Sequence, residues 1–278
     1  MPLVLVGTPI GNLGDLSPRA VDALRAADAI CCEDTRRTGR LLQHAGVERR
    51  PLIVVNDHTE AQAVAGVLAR LDLGERVAVV TDAGMPGISD PGERLVAAAV
   101  DAGHAVEVVP GPSAAITALV LSGLSAGRFA FEGFLPRKGS GRSARLLELA
   151  TERRTVVLYE APHRLARTLN DLALACGTER RVAIGRELTK LHEEHWRGTL
   201  AGAIAWADGH APRGELVVVL DGAPEPRPAT AADVEAAVRE RLEAGDSSKD
   251  AAATVADALG VPKRQAYAEA SRQRGGRT

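Results

Sequence analysis

Two short stretches concentrate groups able to hold or move a proton. Glu160 and His163 follow the apolar run Val156-Val157-Leu158-Tyr159, and Glu187, Lys190 and His192 follow Val182-Ala183-Ile184-Gly185. A carboxylate, imidazole or amine at the end of a strand suits general acid–base work. Each also has an ordinary reading: Glu160 with Arg164 as a helix-start ion pair, Lys190 with Glu193 and Glu194 as a solvated face. A second kind of chemistry is written in glycine and proline. Residues 82–92 read DAGMPGISDPG, with three Gly, two Pro and two Asp in eleven positions. GTPIGNLGD (residues 7–15) and VPGPSA (residues 109–114) are built alike. Such loops bring bare peptide groups close to a ligand and hold them in fixed geometry. The first also offers a carboxylate to a flat, hydrogen-bonding molecule.

Two common ligands are disfavoured. No Gly-Lys-Ser/Thr follows GTPIGNLG, so it is not a phosphate-binding P-loop, and its glycines at 7, 11 and 14 do not spell the dinucleotide G-x-G-x-x-G. The three cysteines, Cys31, Cys32 and Cys176, have neither C-x-x-C nor Cys/His ligand spacing, which disfavours a disulfide framework and a metal site.

The elements that must position these loops alternate. Strands are expected over residues 2–6, 29–32, 52–55, 77–80 and 106–109, and helices over 17–27, 38–45, 60–71 and 93–102. Ser17-Pro18 supplies an N-cap followed by proline at the first helical position. The regular alternation predicts a parallel α/β sheet whose suspicious loops all leave the carboxyl edge, where open sheets bind ligands. From about residue 124 the texture changes. RFAFEGFLP, which carries all three Phe, reads as a strand, and PRKGSGRSAR as a basic, mobile Gly/Ser loop. Helices over 144–150 and 164–175, strands over 155–159, 182–186 and 215–220, and a strand and helix within HWRGTLAGAIAWA complete a second α/β domain with a mixed sheet. Pro224, Pro226 and Pro228 mark a linker. Residues 231–244, 248–259 and 262–273 then predict three short helices of helix-turn-helix shape, with Val234, Val238, Leu242, Val255, Leu259 and Val261 as a small core. The expected boundaries are 1–122, 123–223 and 224–278.

Composition supports this layout. Of 278 residues, 45% are hydrophobic and only 3% aromatic, so the core is aliphatic, as suits helices on a parallel sheet. A net charge of −2 means that any nucleic-acid surface is a local patch. There is no basic n-region with a signal-like apolar core, and no run long enough for a membrane span, which together predict a cytoplasmic protein.

TPIGNL, DAGMPGISDPG and VPGPSA resemble the Gly/Pro loops of the tetrapyrrole methylase superfamily. CEDTRRT, FEGFLPRK, YEAPHR and RELTKLHEE resemble one branch of it, the bacterial ribosomal RNA small-subunit methyltransferase I family. The resemblance runs from about Leu3 to Leu220, and the helical tail is similar too; Thr59 departs from it, standing where the family typically has Asn. It implies two α/β domains of the tetrapyrrole methylase type with S-adenosylmethionine folded into the cleft between them, usually in a homodimer. The implied reaction is 2′-O-methylation of a cytidine ribose in the decoding centre of 16S rRNA within the small ribosomal subunit. The cofactor shell it implies is Pro9, Asp82, Ala83, Gly84, Ile88, Ser113, Ala114, Ala115, Gly214, Glu215 and Leu216. Glu160, His163 and Lys190 are the candidates for handling the hydroxyl proton, Lys190 through a pKa lowered beside the cofactor cation. Water as the proton acceptor stays open.

RNA contact requires positive charge. Arg36 and Arg37, with Arg40, follow the second strand, and Arg137, Lys138, Arg142 and Arg145 lie within nine residues free of acid. Two other functions compete: methylation of a small molecule such as a porphyrinoid, and RNA binding without catalysis. The first has no use for the basic loop or the tail. The second predicts a ruined loop, whereas Asp82, Gly84 and the DPG triplet are intact.

Overall fold

The computed structural model describes residues 1–56, 58–210, 212–225 and 229–275. Asp57 of the NDHTE segment, Pro226 and Pro228 of the expected linker, and Arg277 of the tail lie outside the described residues. The chain forms two compact units, Met1–Ala223 and Pro224–Thr278.

The larger unit holds two five-stranded sheets. The first uses β1 (Leu3–Val6), β2 (Ala29–Cys32), β3 (Leu52–Val54), β4 (Val77–Val79) and β5 (Val106–Val109), all parallel, in the order β3-β2-β4-β1-β5. Helices α1 (Pro18–Ala26) and α2 (Thr35–His44) cover one face through Ala20, Leu24 and Leu42. Helices α3 (Glu60–Asp72) and α4 (Glu93–Asp101) cover the other through Val67, Leu71, Leu95 and Ala99. Both faces are therefore buried, which is why its central strands are unbroken Val/Leu/Ile/Ala/Cys runs. Ser17 caps α1 by accepting from the Ala20 amide at 3.1 Å.

Helix α5 (Ala114–Ser122) follows β5, yet it packs on the second sheet. Its Ala115, Ala118 and Leu119 bury against Val157, Ala183, Val217 and Val219. That sheet comprises β6 (Phe129–Phe134), β7 (Thr155–Glu160), β8 (Arg181–Arg186), β9 (Glu194–Thr199) and β10 (Leu216–Leu220), in the order β6-β7-β10-β8-β9. Only the β6/β7 pair is parallel, so the sheet is mixed as expected. Helices α6 (Ser140–Thr151), α7 (Pro162–Cys176) and α8 (Leu200–His210) cover its far face through Leu149, Leu165, Leu169, Leu172, Leu200 and Trp206. The expected mobile loop is shorter than its Gly/Ser content suggested. Gly139, at φ +82°, is the N-cap, and Ser140 and Gly141 already belong to α6.

The smaller unit contains α9 (Ala231–Glu243), α10 (Ser248–Leu259) and α11 (Lys263–Gly275). The expected apolar positions cluster, joined by Ala252, Ala256, Ala266 and Ala270. Ser247 caps α10, and Gly260 ends it in the left-handed region. Tyr267 is exposed. Among the described residues no helix is long and apolar enough to cross a membrane.

One close approach fixes the carboxyl edge of the first sheet. A Cβ on Gly111 would lie 2.7 Å from the carbonyl carbon of Gly7, and one on Gly7 would lie 2.6 Å from Gly111 Cα. Gly111→Ala must push two backbones apart and is expected to cost about 1–3 kcal/mol in urea unfolding. Gly39→Ala, in the interior of α2 with nothing within 4 Å, is expected to gain about 0.5–1 kcal/mol. Equal midpoints for the two variants would contradict this packing.

Candidate active site

The three Gly/Pro loops meet where the β1 and β4 ends lie side by side. Thr8 and Gly84 exchange backbone hydrogen bonds of 2.9 and 3.2 Å, and the Gly7 amide donates to the Val109 carbonyl at 2.9 Å. The 82–92 loop is strongly turned, with positive φ at Gly84, Gly87, Ser89 and Gly92. Two carboxylates from other loops hold it. Glu33 accepts from the Asp82 amide at 2.9 Å. Glu60, buried at the start of α3, accepts from the amides of Gly92, Arg94 and Leu95 at 2.9–3.3 Å and so also caps α4. A carboxylate accepting several N–H groups at a helix start is a strong, charge-assisted anchor. Nothing in the spacing of NDHTE signalled Glu60, because its partners lie more than thirty residues away.

Above this edge lies a cleft of about 370 Å³. One wall is the first sheet's loops: Ile10, Asp82, Ala83, Gly84, Met85, Ile88, Ser113 and Ala114. The other is the second sheet's: Phe134, Tyr159, Glu160, Gly214, Glu215 and Leu216. Of the eleven residues expected around a cofactor, nine line it. Ala115 is buried one position below, its backbone hydrogen-bonded to the Tyr159 phenol. Pro9 lines an adjoining cavity that shares Arg37 and Asp82 with the cleft. Asp82 Oδ2 pairs with Arg37 Nε at 3.3 Å, while its Oδ1 is buried with no partner among the described residues. A buried acceptor left open in a cleft is a place for a ligand's donor.

The profile of the tetrapyrrole (corrin/porphyrin) methylases matches residues 2–204. Proteins named ribosomal RNA small subunit methyltransferase I match along nearly all of the chain. That of Synechocystis sp. is 47% identical, covering 95% of both chains. That of Mycobacterium tuberculosis is 49% identical over 95% of this chain and 93% of its own, and that of Escherichia coli O157:H7 is 42% identical over 98% and 96%. The chain belongs to the ribosomal RNA small subunit methyltransferase I family, within the tetrapyrrole methylases. Solved structures share the fold. The uroporphyrin-III C-methyltransferase of Thermus thermophilus is 25% identical with a TM-score of 0.57 over 78% of this chain and 93% of its own. The methyltransferase CobJ is 20% identical with a TM-score of 0.61 over 80% and 94%.

For a member of this family the candidate proton-handling groups fall unevenly. Glu160 reaches the cleft wall, but it is buried and both oxygens are engaged: Oε1 with the Ala161 amide at 2.8 Å and Arg164 Nε at 3.2 Å, Oε2 with the Thr168 hydroxyl at 2.5 Å. His163, the second residue of α7, lines a neighbouring basic cavity instead. His192 is exposed. Lys190 sits beside the cleft, 2.8 Å from Glu187 Oε1 and 3.2 Å from Glu215 Oε2. The expected lowering of its pKa is corrected. Burial does disfavour its charge, but the hydrogen bonds and charges of Glu187 and Glu215 outweigh burial and raise it. Glu187 and Thr189 have φ of +50° and +65°, strain that this carboxylate–ammonium–carboxylate cluster holds in place.

The expected RNA-contacting arginines also divide. Arg36, Arg137 and Lys138 are exposed. Arg37 belongs to the cleft through Asp82. Arg142 is buried, donating to Asp171 at 2.8 Å and to Thr168 and the Pro136 carbonyl at 3.0 Å, so it is a brace between α6 and α7 rather than a surface contact. Arg145 is neutralised by Glu132 and Glu148. The local absence of acid around 137–145 was misleading because the partners come from β6, α7 and farther along α6.

Burial raises the Asp82 carboxyl; Arg37 opposes, the charge of Asp34 reinforces, and a hydrogen bond from the Asp34 backbone opposes. A raised folded-state pKa means that the folded protein holds this proton more tightly than the unfolded chain. The ionised group therefore costs stability, a cost that grows as pH climbs from the ordinary carboxylate range through the raised value and persists at neutrality. Asp82→Asn is expected to melt at or above the parent near neutral pH, the gap closing on acidification. Melting below the parent at neutral pH would refute this account.

Proposed function

We propose that this chain uses S-adenosylmethionine to methylate the ribose 2′-hydroxyl of a decoding-centre cytidine in 16S rRNA. The observation that carries the reading is identity of 42–49% to rRNA small subunit methyltransferase I proteins across 95% or more of this chain. An alignment of that extent must include most of the residues after 223, whereas the methylase profile stops at 204. This favours the RNA substrate over a porphyrinoid.

The cleft suits the cofactor. Its volume falls in the range of small-molecule sites. The open Asp82 Oδ1 and the peptide groups of Gly84, Ser113 and Gly214 serve a polar ligand, and Ile10, Ile88 and Phe134 an apolar ring face. A uroporphyrin-III C-methyltransferase of Thermus thermophilus, 18% identical to this chain, has been solved in complex with S-adenosyl homocysteine. S-adenosylmethionine supplies a methyl group on a sulfonium, ready for displacement by an oxygen nucleophile. The chain's part is to align that oxygen within near-attack distance and to keep bulk water from the donor. Lys190, held protonated by two carboxylates, contributes charge and position. Glu160 braces the β7–α7 turn, and the hydroxyl proton leaves to water. In this reading the enzyme works as a cytoplasmic homodimer. The exposed Ile116 and Val120 on α5 offer the apolar surface for a second copy.

Purified protein given labelled cofactor and unmodified small subunits should yield 2′-O-methylcytidine on nucleoside digestion. Methylation of a porphyrinoid with none of RNA would overturn the reading. Gly84 has φ +84°, so Gly84→Val strains the loop and adds bulk at the cleft. Cofactor affinity by calorimetry should fall at least about tenfold, roughly 1.4 kcal/mol. A chain ending at Ala223 should keep cofactor affinity and lose methylation of the subunit, because α11 carries Lys263, Arg264 and Arg274 for RNA, Arg272 being paired with Glu269 and Glu235. Full-rate methylation by the truncated chain would free the tail of that role.

A further inference from the structure

The turn from β7 into α7 has a cavity on each side. Glu160, Ala161 and Pro162 line the cleft, while the next two residues, His163 and Arg164, line a second cavity of about 290 Å³. Its other walls are Arg137, Arg142, Arg167 and Thr168. Four guanidiniums thus converge on one small space. Two carboxylates answer them: Glu160 through Arg164, and Asp171 through Arg142 at 2.8 Å and Arg167 at 3.7 Å. The space keeps an excess of positive charge in a protein whose net charge is −2.

The arginines are also pre-positioned. Arg142 is buried and fixed by three hydrogen bonds. Arg164 is four-fifths buried and uses two of its three nitrogens, Nε toward Glu160 and Nη2 to the Leu135 carbonyl at 2.6 Å. Arg167 Nη1 donates to the Arg137 carbonyl at 3.3 Å, which ties the two exposed members together. The Arg137 guanidinium has no ion pair among the described residues. Each guanidinium has five N–H donors, so donor capacity remains after these bonds are made. A clamp of this kind fits a tetrahedral oxyanion.

We propose that this cavity is a phosphate seat for the RNA substrate, gripping a backbone phosphodiester next to the target ribose. The proposal rests on the RNA reading above. The cofactor has no phosphate, its one anionic group being a planar carboxylate, so a tetrahedral oxyanion comes from the substrate. The two cavities are lined by successive residues of one turn, Glu160 to Pro162 and then His163 and Arg164, so a strand entering the cleft past Pro162 would pass the basic cavity with its phosphates. Arg164 ties the seat to the cleft, since it lines the basic cavity while its partner Glu160 lines the cleft. Arg137 and Arg167 provide the exposed gripping groups, and Arg142 and Arg164 the fixed floor.

The test is an Arg137→Ala/Arg167→Ala double variant of the full chain, assayed on unmodified small subunits beside the parent. Both side chains are exposed, so melting and cofactor affinity should match the parent. KM for the subunit should rise about tenfold or more, and the slope of log affinity against log salt should flatten by about one. Arg167→Lys should restore most of the salt slope but only part of the affinity, because an ammonium keeps the charge and loses the fork. A parent that methylates RNA while the double variant keeps its KM and salt slope would overturn the phosphate seat and leave the RNA reading standing. A parent that methylates no RNA would remove both.

Discussion

The near-contact of two glycine backbones, Gly7 after β1 and Gly111 after β5, is the constraint on which the site depends. With Cβ positions 2.6–2.7 Å from the opposite main chain, no other residue fits either place without displacing its neighbour. The parallel order puts β4, β1 and β5 side by side, so their three loops must leave one edge together. The glycine contact and the Thr8–Gly84 bridge then draw them into one surface. Helix α5 departs from that surface and buries Ala115, Ala118 and Leu119 under the second sheet. The second wall of the cleft is thereby held opposite the first. Burial of a leucine alone is worth about 1.5–3 kcal/mol, so this cluster, which also takes in Ile10 and Leu188, is a firm hinge-less joint between the sheets.

A second device recurs at three loops of the cleft. A glutamate accepts hydrogen bonds from main-chain amides: Glu33 from Asp82, Glu60 from Gly92, Arg94 and Leu95, Glu160 from Ala161, and Glu187 from Glu215 at 2.9 Å. Glycine-rich loops lack side chains with which to pack, so their order comes from outside. A carboxylate supplies it, reaching across from another element for Glu33, Glu60 and Glu187 and from the preceding residue for Glu160, and its own burial is compensated by the N–H groups it satisfies. Gly214 shows how closely the two features fit. A Cβ there would fall 2.4 Å from the Glu187 carboxyl, so glycine is what lets that carboxylate reach the Glu215 amide.

What was legible in the sequence follows from the range of the interactions. Strand periodicity, turn residues and caps are local, and the strands, the Ser17 cap and the edge carrying the Gly/Pro loops could all be read. The resemblance of those loops to a methylase family pointed to the cleft-lining residues. Interactions between distant elements could not be read. Arg142 looked like a free cation because Asp171 and Thr168 lie 29 and 26 residues away. Lys190 looked like a base because Glu215, on the far side of a helix and a strand, does not appear near it in sequence. Gly139-Ser140-Gly141 read as loop because helix propensity disfavours it, yet α6 begins there, with the Arg142 brace fixing its first turn against α7. Tertiary bonding overrode the local preference.

These corrections sharpen the electrostatic picture rather than weaken it. The sequence spreads positive charge evenly along residues 137–145, but folding removes Arg145 to a pair of glutamates and draws Arg142 inward. It then brings Arg164 and Arg167 from α7 to stand beside Arg137. The resulting positive space is smaller and more directional than a basic loop. It borders the cleft through a single turn of chain. The acid at that turn, Glu160, faces both sides: its backbone neighbours line the cleft, and its carboxylate fixes Arg164 in the basic cavity. A group with both oxygens already committed is poorly placed to take a proton and well placed to keep two surfaces in register. The proposed reaction needs a ribose hydroxyl aligned with the methyl donor while the rest of the strand is held by its charge, and a turn that borders both the cleft and the basic cavity suits that division of labour.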